Sequence, residues 1–317
     1  MEHDHQHVAY FDCFSGASGD MLLGALLDAG LSLDDLQQDL ATLNLRGYEL
    51  QLTRHVNHGL TGAKFAVVET NAERPFRHLS VVRELIEASA LPETVKRNSL
   101  RVFERIAAAE ARVHGVDIEQ VHFHELGAVD TLVDVVGFCC AIQRLGLDAL
   151  YASPLPLGGG TVTTDHGLLP VPAPATLALL AEVGAPTRPG PGPGELVTPT
   201  GAALLTTLAT FEQPAMRVTG VGYGFGGKEF AWANVLRVWI GQVGHDAPSR
   251  RHHPRPHSHG HDHSHPHEHD QGEEHAQGTD DAHAHTNTHA HIHPDEHGHV
   301  HPHTHAADAH HHPEDAQ

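Results

Sequence analysis

The chain has 317 residues, a formal net charge of −21, and 34 histidines. Nineteen Lys and Arg against 40 Asp and Glu exclude nucleic acid as a partner, because phosphate binding needs clustered cations. Three cysteines (Cys13, Cys139, Cys140) are too few for a disulfide framework, no apolar run approaches the roughly 20 residues of a membrane span, and the charged first residues are unlike a signal peptide. The expectation is a cytoplasmic protein with no membrane partner.

In chain order, residues 1–7 read as a flexible, His-containing start. Residues 8–14 (VAYFDCF) read as a buried strand, followed by a small-residue turn, SGASG, and an apolar helix over 20–29 with Asp20 as its cap. A second helix is expected over 33–43, then strands over 48–56 and 63–70 joined at Gly59–Gly62. Amphipathic periodicity predicts helices over 79–88, 93–113 and 129–145, and a strand over 149–152. Residues 153–175 carry five prolines and three consecutive glycines, so helix is excluded and a long irregular, functional segment is expected. Helices over 176–182 and 200–210 flank a Pro/Gly loop, and strands close the pattern over 216–223 and 234–240. The glycine cluster 220–227 reads as a tight hairpin or a mobile loop. The alternation predicts an α/β fold with a mixed sheet and flanking helices over residues 8–244, with room for two subdomains broken near 148–153.

Three constellations carry chemistry. The turn DCFSGASGD joins a strand to a helix N-terminus, where unpaired N–H groups and the helix dipole favour an anion. It makes Ser15, Gly16, Ser18 and Gly19 candidates for binding a phosphorylated ligand, with Asp12 and Asp20 as candidate acid–base groups. The second, HFHELGAVD continuing to Asp134, puts His122 and His124 on one side of an extended segment and Asp130 and Asp134 on one helix face. With Glu125 these are candidate metal ligands and carboxylate catalysts, and nickel, zinc, iron and cobalt all suit such a set. The third joins His166, a further candidate metal ligand, to Glu195, Thr198 and Thr200, candidates for binding the phosphorylated ligand, where the hydroxyls can cap a helix or hold an oxyanion. Cys13 is either a thiolate ligand or core filler; Cys139 and Cys140 lie mid-helix and read as core.

The last stretch, residues 245–317, holds 24 of the histidines, three arginines and 13 acidic residues, and contributes −10 of the net charge. With almost no large apolar residues it cannot bury enough surface to offset ordering entropy, so it is expected to be disordered. His257, His259, His261, His263, His265, His267 and His269 alternate along it, a pattern suited to capturing nickel, copper or zinc.

Taken together, FDCFSGASGDM, HFHELGAVDTLVDVVG, SPLPLGGGTV with HGLLPVPAPAT, GELVTPTGAAL, VGYGFGGKEF and NVLRVWIG resemble the N-terminal region of the LarC nickel-insertion proteins, over roughly residues 8–241. The resemblance implies insertion of Ni²⁺ into pyridinium-3,5-bisthiocarboxylic acid mononucleotide, giving the nickel pincer cofactor that a lactate racemase-type apoenzyme receives. It also implies CTP dependence, with Mg²⁺ or Mn²⁺, carried by a C-terminal region. Here the His-rich tail follows Ile240 where that region is expected, so the CTP-binding part is expected on a separate chain. Two other readings stay open: a non-enzymatic nickel chaperone or store, and a zinc-dependent hydrolase using His122 and His124.

Overall fold

The computed structural model describes residues 5–70, 78–123, 128–164 and 166–244. The fold is α/β, built on a mixed seven-stranded sheet. Its strands are β1 (Gln6–Asp12), β2 (Tyr48–Asn57), β3 (Leu60–Glu69), β4 (Ala149–Ala152), β9 (Ala209–Thr210), β10 (Arg217–Phe225) and β11 (Val235–Val243), in the spatial order β2-β3-β10-β11-β1-β4-β9. Short strands β5 (Leu155–Leu157) and β8 (Thr187–Pro189) pair in parallel, and β6 (Thr161–Thr164) and β7 (Gly167–Pro170) form a hairpin. The helices are α1 (Gly19–Asp28), α2 (Leu33–Ala41), α3 (Leu79–Ala88), α4 (Glu93–His114), α5 (Val129–Arg144), α6 (Pro174–Val183) and α7 (Pro199–Leu208).

The centre of the sheet follows from its composition. In β1, Val8, Ala9, Tyr10 and Phe11 are all buried, so both faces of the strand are covered, as a run of consecutive apolar residues requires. β1 pairs antiparallel with β11 and parallel with β4. Residues 149–152, at the expected subdomain break, therefore lie inside the main sheet. β1 begins two residues earlier than the sequence pattern indicates: Gln6 and His7 continue the ladder opposite Val243 and Gln242, and the His7 N–H donates to Asp148.

Helix α1 is the keystone between sheet and helices. It lies across β3, β10 and β11 and packs on its other side against α5 and α7, which is why eight of its ten residues are buried. Behind it, α4 packs against α3, α5, α6 and α7. Among the described residues no helix is long and apolar enough to cross a membrane.

The glycine cluster is not a tight hairpin turn. It forms most of strand β10, and its glycines admit α1: a Cβ on Gly222 would stand 2.7 Å from the Ala29 nitrogen, and one on Gly224 2.5 Å from the Ala25 nitrogen. Any side chain there would lift the helix off the sheet. The segment 153–175 is also more ordered than expected. Prolines stop helices, but not the three- and four-residue pairings that β5, β6 and β7 make. The Pro/Gly loop after α6 similarly contains β8.

Candidate functional site

Three helices turn their N-termini toward one cavity of about 400 Å³. Ser18, Gly19 and Asp20 come from α1, Asp130, Thr131 and Asp134 from α5, and Thr198, Pro199 and Thr200 from α7, with Glu195 just ahead of α7 and Ala66 and Val67 on β3. Eight residues singled out in the sequence thus meet at one place, although they come from three separate motifs. Short loops hold them there. Thr198 caps α7 by accepting the Gly201 N–H. The Val129 N–H at the start of α5 donates to Glu69 on β3. Parallel bridging of Ala17 to Val197 ties the α1 entry to the α7 entry.

Crowding of carboxylates gives the cavity its chemistry. Asp134 faces Gly19 so closely that a Cβ on Gly19 would sit 2.5 Å from the Asp134 Cγ, so only glycine leaves the carboxyl its place. Asp134 Oδ1 is buried with no hydrogen-bond partner among the described residues. Loss of water, then the charges of Asp20 and Asp130, push the Asp134 carboxyl well above the usual carboxylate range. Desolvation also raises Asp20, against the opposing hydrogen bond from Ser18. Asp130 stands at the solvent-exposed mouth. The protein mass around it and the charge of Glu69 raise it, while the Thr131 N–H and hydroxyl, both donating to Oδ1, pull it back. Three carboxyls that hold protons more tightly than usual can take part in proton exchange or receive a cation in place of a proton.

Asp20 is not the cap of α1. Ser18 occupies that position, with no side-chain cap bond, and Asp20 sits in the first turn facing the cavity. Ser15 and Gly16 do not line the cavity. Ser15 is fully buried, its hydroxyl donating to Asn234 and accepting from the Trp232 indole N–H. Gly16 packs on the Leu196 carbonyl, which also takes the Ala17 N–H. The front half of the expected anion turn is therefore consumed by internal bonds. Asp12 lies on β1, held by Arg237 from β11 at 2.9 Å through Nε. Burial raises the Cys13 and Cys139 thiols to about 12 and raises Cys140 too, so all three cysteines are core thiols.

The histidines fall elsewhere. His122 is exposed and its ring lies 4.3 Å from that of His78, just ahead of α3. His166, on the β6–β7 turn, lies 4.8 Å from the ring of His114 at the end of α4. His124, Glu125 and His257 through His269 lie outside the described residues. Among the described residues no group of three or more His, Cys, Asp and Glu side chains is placed to hold a metal ion. Sequence reasoning missed His114 and Lys228; the signal available for His114 was its place in the last turn of a long helix, where a cation is favoured.

A second cavity, of about 500 Å³, shares Glu195 and Pro199 with the first. Its walls include Val113, Val162, Leu169 and Ala175, with His114, His166 and Lys228 among its polar groups. Lys228 Nζ lies 3.0 Å from a Glu195 carboxylate oxygen.

The family model described as "Nickel insertion protein" matches residues 9–308. A protein from Roseiflexus castenholzii is 50% identical over 244 residues, covering 77% of this chain and 62% of that protein. One from Thermomicrobium roseum is 54% identical over 237 residues, covering 74% and 58% respectively. Both are provisionally named nickel insertion proteins. A Desulfitobacterium hafniense protein, 49% identical over 238 residues, covering 74% of this chain and 58% of its own length, is named pyridinium-3,5-bisthiocarboxylic acid mononucleotide nickel insertion protein. The chain thus spans about three fifths of the length of the curated relatives it matches. No solved structure matches it. A family match running almost the whole length of the chain, on motifs that fold into one acid-lined cavity, shows that this chain belongs to the nickel insertion protein family.

Proposed function

We propose that this chain inserts Ni²⁺ into pyridinium-3,5-bisthiocarboxylic acid mononucleotide, the substrate named for its Desulfitobacterium relative. The observation that carries the reading is the convergence of Asp20, Asp130 and Asp134 in one cavity beside a larger, mostly apolar one. The acid cavity suits the cation and the protons exchanged on metallation, since binding a metal to a protonated ligand atom releases that proton. The larger cavity suits the pyridinium ring, with Lys228 as the cation for the phosphate. Glu195 and Pro199 stand between the two, so the metal has a short path to sulfur.

CTP and its Mg²⁺ or Mn²⁺ are a further requirement that the family resemblance implies. In this reading they belong to a separate CTP-binding LarC C-terminal chain, and the recipient of the product is a lactate racemase-type apoenzyme. The His-rich residues 245–317 supply nickel, as a cytoplasmic reservoir of imidazoles.

The test is direct. The full chain is incubated with Ni²⁺ and the bisthiocarboxylate mononucleotide, with and without CTP and a complementary C-terminal domain, and the nickelated product is followed by mass spectrometry. Product is expected with the wild type and strongly reduced with Asp134→Asn. Absence of product under every condition would sink the proposal.

A further inference from the structure

We infer that His114 and His166 form a two-imidazole docking point for a late first-row divalent cation on the wall of the larger cavity. The two residues are 52 positions apart in sequence and meet where the end of α4 and the β6–β7 turn line one cavity. Their ring centroids lie 4.8 Å apart at an interplanar angle of 48°. A first-row ion sits about 2.1 Å from a ligating imidazole nitrogen, hence about 3.2 Å from the ring centroid, so two imidazoles at about 90–110° around one ion place their centroids about 4.5–5.2 Å apart. The observed separation falls within that interval.

Three further features favour a cation here. His114 is in the last turn of the 22-residue helix α4, where the unsatisfied carbonyls and the helix dipole attract positive charge. Glu110, one turn back, lies 3.2 Å from His114 Nε2 and can orient the ring as carboxylates do behind metal-bound histidines. The His166 backbone is fixed by its turn: its N–H donates to Thr164 Oγ1, the Thr164 hydroxyl donates to the Gly167 carbonyl, and Gly167 takes φ +91°. Both histidines line the cavity that Glu195 and Pro199 share with the carboxylate cavity. Two protein ligands leave the other coordination positions to water or to an incoming sulfur, as a transit point for a cation requires.

The experiment uses the full chain, stripped of metal and then titrated with Ni²⁺ in excess over the tail histidines. Diethylpyrocarbonate modification of each histidine is read peptide by peptide by mass spectrometry. Labelling of His114 and His166 is expected to fall together, by about tenfold, because a lone pair engaged by metal cannot attack the reagent. His58, on the β2–β3 turn, serves as the control and keeps its labelling, and Mg²⁺, an oxygen-seeking ion, protects neither member of the pair. His114→Ala is expected to abolish nickel protection of His166. Because His114 ends a packed helix, His166→Gln, on an exposed turn, provides the reciprocal test should the first variant lose its fold. Unchanged labelling in Ni²⁺, equal protection by Mg²⁺, or protection of one histidine that survives loss of the other would each overturn the inference. The readout needs no turnover, so a protein protected here that makes no nickelated product would refute the insertion reading alone.

Discussion

Replacing Asp134 by Asn tests the electrostatics of the acid cavity. Asp134 carries one buried, unpartnered oxygen, and its acidity is weakened first by desolvation and then by Asp20 and Asp130. Its folded-state pKa therefore lies above the unfolded value of 3.8. A group shifted this way contributes its full stability below the unfolded pKa, and loses it as pH rises through the folded one. Every tenfold weakening of acidity is worth about 1.4 kcal/mol once the wild type is made to ionise. Asparagine keeps the shape and never ionises, so the variant should gain on the wild type as pH rises above the unfolded carboxyl value. At the acid end the two proteins should differ only by the cost of an imperfectly bonded amide, about 1 kcal/mol. Urea unfolding with a chelator present measures this. The 34 histidines are common to both proteins, so the difference isolates position 134. An offset that does not change with pH, or a wild type that gains on the variant as pH rises, would refute the assignment of Asp134 as a carboxyl whose surroundings make it hold its proton more tightly.

Other perturbations separate structure from site. Gly224→Ala drives a methyl into the backbone of α1 and should cost about 3 kcal/mol or prevent folding, read by urea midpoint, whereas Gly227→Ala, with nothing near its Cβ position, should not. Ser15→Ala strands the Trp232 indole N–H and Asn234, and should cost about 1–3 kcal/mol, with a change in tryptophan fluorescence. Asp12→Asn breaks a partly exposed pair with Arg237 and should shift stability by about 1 kcal/mol or less, leaving nickel insertion near wild type if Asp12 is no catalytic group. Removing residues 245–317 takes away 24 histidines and should lower the number of nickel ions bound per chain in equilibrium dialysis while leaving binding at the ordered part. Loss of all nickel binding would favour the storage reading.

Much of the fold is legible because burial in this chain follows periodicity. α3 and β4 occupy the residues the pattern predicts, and α5 differs by one residue at its C-terminal end. The glycine cluster misleads because glycine usually marks a turn, yet Gly220, Gly222 and Gly224 alternate with Val221, Tyr223 and Phe225, a strand period that puts every glycine on one face. That alternation was the available sign of a helix packed on the strand. The site is legible in its parts and illegible in its assembly. Local spacing pairs Asp130 with Asp134, but nothing local says that both meet Asp20 and Thr200. Nor does spacing say that His122 turns toward His78, since a neighbour 44 residues away is a property of the packing.

Under the proposed insertion reading, the placement of ligand types lets the chain release its cargo. A closed site of thiolates and imidazoles holds a divalent ion by about 10–16 kcal/mol, which would leave little tendency to pass it on. Here the three thiols that would bind nickel most firmly are buried and protonated, with Cys13 and Cys139 raised to about 12, so they are withdrawn from competition. The two cavities instead present imidazole at His114 and His166 and carboxylate at Asp20 and Asp130. Imidazole is a borderline ligand and carboxylate a hard one, and each binds nickel less firmly than a chelating pair of sulfur atoms. Movement from imidazole past carboxylate to thiocarboxylate is then downhill at its last step. Burying the cysteines gives that step its direction, and substituting an accessible residue of the larger cavity by cysteine, as in Thr163→Cys, should trap nickel on the chain and slow its transfer.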